Sequence, residues 1–125
     1  VSLLPADPDV SAGHLRDGIA ERTGKKVAVI ITDTFGRPWR EGLTNVAIGV
    51  AGFSPLLDYR GQKDQQGHVL SATVIAIADE LAAAAELVMG KTARRPAAII
   101  RNFPWESRDG KAAELIRPRE KDLFR

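Results

Sequence analysis

The run from Val27 to Gly52, VAVIITDTFGRPWREGLTNVAIGVAG, constrains the fold more than any other stretch. It opens with five consecutive apolar residues, Val27 to Ile31, mostly β-branched. Such a run predicts a strand buried on both faces. The strand would deliver Thr32, Asp33 and Thr34 at its C-terminal edge. A loop punctuated by Gly36, Pro38 and Gly42 and charged by Arg37, Arg40 and Glu41 would follow. Alternation then resumes, with Val46, Ile48 and Val50 against Ala47, Gly49 and Ala51. A carboxylate and a hydroxyl at a strand end supply hard oxygens suited to magnesium or manganese. Two guanidinium groups nearby can grip phosphate or carboxylate. The competing reading is a polar turn with Asp33 as a cap. Local chemistry leaves both open.

At 125 residues the chain suits one domain with a real core. It has no cysteine, which excludes disulfides and thiolate metal sites and fits a reducing cytoplasm. No apolar run is long enough for a membrane span, and no signal-peptide layout opens the sequence. Charge is uneven. Residues 1–90 carry 8 Lys and Arg against 11 Asp and Glu, and residues 91–125 carry 10 against 5. A basic C-terminal stretch can attract anions such as nucleotide phosphates. Sparse aromatics give no platform for stacking bases, so nucleic acid is not an expected partner.

Asp7-Pro8-Asp9 predicts a helix start, with Leu15 and Ile19 on one face of a helix near Val10–Arg22 and Gly24 as its stop. Val1 to Leu4 reads as the end of a strand, and Leu56 to Tyr59 as a short one. Arg60 to Gly67 reads as an exposed loop, and Asp58, just before it, with Arg60 and Asp64 makes either a salt-bridged turn or a substrate loop. A long Ala-rich helix is expected near Ala72–Met89, with Gly90 as its stop. Within it, Asp79 and Glu80 lie about 100° apart, so either one faces inward, toward an arginine of the central loop, while the other is wet, or the pair forms a solvated acidic edge. A strand near Ala97–Ile100, a short helix over Lys111–Ile116 and Leu123 and Phe124 tucked onto the body complete the expectation. The fold class is α+β, a mixed sheet with packed helices.

His14 and His68 are isolated and lack zinc-like spacing. No serine sits in a nucleophile elbow, and no GxGxxG is present. Gly90-Lys91-Thr92 ends like a P-loop but follows a helix and lacks the upstream glycines.

Several pieces together resemble the coenzyme F-420:L-glutamate ligase (F420-0:gamma-glutamyl ligase) family. They are Thr32-Asp33-Thr34-Phe35-Gly36-Arg37-Pro38-Trp39-Arg40-Glu41-Gly42, Val46 to Gly52, Asp58-Tyr59-Arg60-Gly61, Asp64 with Gly67, Ala78 to Ala82, Met89-Gly90-Lys91, Arg117-Pro118 and Asp122-Leu123-Phe124. The resemblance implies GTP-dependent amide synthesis. L-glutamate is added to the carboxylate of a deazaflavin coenzyme F-420 precursor through an acyl phosphate. It implies Asp33 and Thr34 as metal ligands, magnesium or manganese as the ion, the segment Met89 to Pro96 (Met89, Gly90, Lys91 and Thr92 above all) as part of the GTP surface, and a homodimer. Arg37 and Arg40 are assigned to phosphate or carboxylate contacts on physical grounds.

The sequence departs from the family pattern at four places. Leu43 and Asn45 stand where Gln and Asp are usual. Lys91 lies near a position where some members carry an acidic second-metal ligand. Asn102 follows Arg101 where Gly is usual. The family's ligase domain begins well upstream of the part resembling Val1, so the chain is expected to match its C-terminal half, the other half supplying a further metal-binding Asp and much of the nucleotide pocket. Alone, it is expected to be inactive. Two alternatives stand beside the ligase: a non-catalytic or diverged module that binds metal, nucleotide or its own kind, and a different metal-dependent phosphoryl-transfer enzyme, suggested by Leu43 and Asn45.

Overall fold

A computed structural model describes residues 3–122. Helix α1 spans Pro8–Thr23, followed by β1 (Val29–Arg37), β2 (Arg40–Ala51), β3 (Leu57–Asp58), β4 (Val74–Ile75) and α2 (Ile77–Met89), with 3-10 turns at Ala112–Leu115 and Arg119–Lys121. The class is α+β. The pairings, β1 with β2 and β3 with β4, are both antiparallel.

The central run is a long hairpin rather than a strand, loop and strand. β1 does not stop at Ile31 but continues through Asp33 and Thr34 to Arg37. Pro38 and Trp39 make the whole turn, with Arg37 opposite Arg40. Proline fixes the first turn position, and Trp39 takes φ 65°, the left-handed step a type II turn needs. Ile31 pairs with Gly49 and Thr32 with Ala47, which leaves Ile48 as a bulge. Val27 to Ile31 is half-buried, not covered on both faces.

α1 starts where its chemistry dictates. The Asp7 carboxylate accepts the Val10 N–H at 3.0 Å, and Gly24 ends the helix in the left-handed conformation. The buried contact is Ala12, while Leu15 is 53% exposed and Ile19 is also exposed. The expected Leu15–Ile19 face therefore looks outward. α1 reaches β2 through its first turn instead. A Cβ on Gly49 would collide with the backbone of Pro8. The core gathers Ala47, Val50, Phe53, Ala78 and Ala112, with Ile30, Leu81 and Leu115 against them.

Three carboxylates then finish the polar work of β2. Asp9 accepts both Val50 N–H (2.8 Å) and Ala112 N–H (2.9 Å), tying α1, β2 and the C-terminal segment together. Asp79 accepts Ala47 N–H at 2.9 Å. It faces inward, as expected of one member of the Asp79-Glu80 pair, but its partner is backbone rather than an arginine. Glu86 accepts from the Asn45 amide at 2.9 Å. Satisfying strand N–H groups with helix carboxylates removes the cost of burying them unpaired.

Three further expectations change. α2 begins at Ile77, because Val74 and Ile75 pair with Asp58 and Leu57 instead of joining the helix. Ala97–Ile100 forms no strand; it finds no ladder partner among the described residues, and Ile99 and Ile100 are exposed. Leu3 and Leu4 are exposed outside any strand. The remainder of the Val1–Leu4 expectation, and the expected tuck of Leu123 and Phe124, lie outside the described residues.

Candidate functional site

Extending β1 past Ile31 changes the geometry expected of Asp33 and Thr34. Neither sits at a strand end; both lie within the ladder, Asp33 opposite Val46 and Thr34 opposite Asn45. Successive strand side chains leave on opposite faces. Asp33 is exposed and accepts the Thr34 N–H at 2.7 Å. Thr34 is half-buried, with its hydroxyl on the side where α2 ends. Asp33 and Thr34 therefore leave the ladder on opposite faces.

Thr34 instead joins a polar cluster assembled from three elements. Lys91, just past the end of α2, donates to Thr34 Oγ1 at 2.5 Å and approaches Asn45 Oδ1 at 3.5 Å. Its ammonium lies 3.6 Å from a Glu86 carboxylate oxygen. Asn45 is 5% exposed, the buried polar side chain of the core region, and it spends its amide N–H on Glu86 and its carbonyl toward Thr34 and Lys91. β1 supplies Thr34, β2 supplies Asn45, and α2 supplies Glu86. Gly90 ends the helix by donating its N–H to Glu86 O, which throws Lys91 back over the sheet.

Beside the cluster opens a cleft of about 410 Å³ lined by Gly90, Lys91, Arg94, Arg95 and Pro96. Three cations border it. Arg94 holds φ 53°, unusual for a residue with a side chain, and Arg95 donates to Val88 O at 3.2 Å. Of the Met89–Pro96 segment expected on the nucleotide surface, Gly90, Lys91, Arg94, Arg95 and Pro96 line this cleft, and Met89, Thr92 and Ala93 do not. Arg37 and Arg40 stand apart at the hairpin turn. Arg37 donates to Glu41 O at 3.1 Å, and neither arginine borders the cleft.

Among the described residues, no group of three or more His, Asp or Glu side chains could hold a metal ion. Asp33 leaves one exposed carboxylate on the hairpin. Asp58 and Arg60 form a salt-bridged turn. Arg60 donates side-chain and backbone N–H groups to Asp58, holding its carboxyl down at about 2. Asp64 turns away to Gln66 N–H, His68 N–H and the His68 ring.

The sequence places Arg94 and Arg95 within the Met89–Pro96 nucleotide segment without giving them separate roles, and leaves Glu86 out of the site. Glu86 follows Asp79 by two helical turns and therefore shares its inward face, a signal that helical spacing carries. At Asn102, φ is 60°, a conformation that asparagine tolerates better than other residues with side chains.

A family model described as F420-0:Gamma-glutamyl ligase matches residues 1–102. The chain belongs to this family. It is 53% identical over 125 residues to the coenzyme F420:L-glutamate ligase of Methanothermobacter thermautotrophicus, covering 98% of this chain and 50% of that protein. Ligases of the same name from Methanococcus maripaludis strain C6 (52% over 123 residues; 98% and 50% covered) and Methanocaldococcus jannaschii (47% over 126; 100% and 51%) are similar in turn. The chain spans about half the length of these curated relatives. No helix among the described residues is long and apolar enough to cross a membrane.

Proposed function

We propose that this chain forms half the site of a ligase that adds L-glutamate to a coenzyme F-420 precursor. The observation that carries the reading is the identity of about half of all residues, over almost the whole chain, with ligases of that name. In this reading GTP phosphorylates the acceptor carboxylate, giving an acyl phosphate and GDP. The glutamate amine then attacks the acyl carbon, the amide bond forms and phosphate leaves. A bound divalent ion supplies charge neutralisation at the phosphates.

The residues of this chain serve that scheme in distinct ways. Lys91, Arg94 and Arg95 place three positive charges around an open cleft, which suits phosphate oxygens. Gly90 leaves the cleft wall without a side chain. Asp33 would offer its exposed carboxylate to magnesium or manganese, which would supply positive charge beside the phosphates. Arg37 and Arg40 are assigned to a carboxylate arriving at the hairpin turn. A homodimer belongs to the same proposal, since Leu87 and Ile99 leave large apolar side chains in solvent. So does a cytoplasmic location, with which the lack of cysteine agrees.

The test is a ligase assay on the protein as its gene encodes it, with GTP, L-glutamate and the glutamate-free coenzyme. The expected result is glutamate-dependent GDP release and a product heavier by one glutamyl unit. Arg94→Ala with Arg95→Ala should raise the KM for GTP at least tenfold, since each charge-assisted hydrogen bond is worth about 1.5–3 kcal/mol. No amide product from the intact protein overturns the reading.

A further inference from the structure

We propose that the Lys91 ammonium is a tethered cation seated in an oxygen pocket formed by Thr34, Asn45 and Glu86, and that it keeps a divalent metal ion out of that pocket. The proposal does not rest on the ligase reading. It follows from which atoms meet. Thr34 Oγ1, Asn45 Oδ1 and Glu86 Oε1 come from two strands and a helix, and all lie within 3.6 Å of one nitrogen. The Asn45 amide is oriented by its own donation to Glu86, so its oxygen is turned toward the cation. A neutral hydroxyl, a neutral amide oxygen and one carboxylate are hard donors of the type that magnesium and manganese take. Here a covalently attached positive charge already satisfies them.

Placing a divalent ion in the same pocket would set two cations within a few ångström of one another. It would also require the ammonium to give up its contact with Thr34. The pocket's single carboxylate cannot offset three positive charges, so displacement is unfavourable on electrostatic grounds. The attachment is also specific in length. Lysine reaches across from the residue after Gly90, and a carboxylate at that position would add a fourth oxygen where the ammonium now sits. One side chain therefore decides whether the pocket is filled by the chain itself or by an ion from solution. It also fixes one of the three charges bordering the cleft, because the Lys91 side chain spans pocket and cleft wall.

The test uses manganese alone as the probe, counted by electron paramagnetic resonance on the protein as its gene encodes it. Lys91→Glu should bind one more Mn²⁺ per chain than the parent protein, and Lys91→Arg should bind the parent number. Adding Glu86→Gln to Lys91→Glu should abolish the extra equivalent, which ties it to this pocket. Circular dichroism confirms that each variant is folded. A folded Lys91→Glu protein with the parent stoichiometry overturns the proposal. A second measurement needs no variant: the rate at which an amine-acylating reagent labels Lys91 should not change with Mn²⁺. A rise in Lys91 labelling on adding Mn²⁺ would mean that the metal ejects the ammonium, and would sink the proposal even if no variant folded. Ligase activity is not a readout in either arm, so loss of the ligase reading and loss of this one are told apart.

Discussion

The base and the turn end of the β1–β2 hairpin share two strands yet meet different surroundings. At the base, Gly49 lies against the backbone of Pro8, Val50 is 2% exposed, and Asp9 satisfies a strand N–H from the side. At the turn, Phe35, Trp39 and Leu43 stand in solvent, and Arg37 and Arg40 face each other across two residues. Between them, Thr34 and Asn45 mark the crossover, where β-ladder geometry hands over to a polar cluster and a cationic cleft. The difference teaches that stability and chemistry are separated along one hairpin, so substitutions at its two ends should fail in different assays.

The largest expected effect is at the base. Gly49→Ala drives a methyl group into the Pro8 backbone, which cannot yield as a flexible side chain would. Overpacking of this sort costs about 3 kcal/mol. The urea midpoint should fall accordingly, and an unchanged midpoint would break the contrast between the two ends. Comparable in size is Asp9→Ala, which strands the Val50 and Ala112 N–H groups at a cost of about 1–3 kcal/mol each, with Asp9→Asn recovering part of it because one oxygen acceptor remains. Equal losses for alanine and asparagine would show that packing, not hydrogen bonding, holds the junction.

Further toward the turn, Asp33→Asn should shift stability by less than about 0.5 kcal/mol while removing most ligase activity of the intact protein. A melting temperature that falls in proportion to activity would return Asp33 to a structural role. The smallest effect belongs to the β3 turn. The Asp58 carboxyl is held at about 2 by Arg60, below its ordinary 3.8. A depressed carboxyl pKa favours the folded turn above the unfolded value, and that preference fades as pH falls from about 4 through about 2. A carbon-detected titration should place the Asp58 midpoint near 2, and Arg60→Ala should return it toward 3.8. A midpoint already near 3.8 in the parent protein would remove the salt-bridged turn.

What the sequence disclosed and what it concealed divide along the same physical line. Elements set by neighbouring residues were legible: the Asp7 cap and the Gly24 and Gly90 stops. Elements set by distant partners were not. Phe35 to Leu43 lacks a strand-like pattern, with two glycines and a proline, yet it is held in a ladder by its own other half. Ala97–Ile100 has the pattern and, among the described residues, no ladder partner. The candidate site followed suit. Asp33 and the Gly90-Lys91 segment could be singled out from motif and family resemblance. That Lys91 meets Thr34 across 57 residues depended on where α2 ends above the sheet.

Asp9 carries a consequence for the order in which the molecule is assembled. Its two bonds span 41 and 103 residues. The shorter closure can form once α1 and the hairpin exist; the longer one waits for the carboxyl-terminal segment and bears the greater loop-closure entropy. Gly110 seats against the Phe53 carbonyl with Ala112 buried nearby, so that late arrival also seals the apolar cluster. The segment that docks last is then the first to open, and the Ala112 amide should trade its proton with solvent ahead of the Val50 amide although both are held by one oxygen.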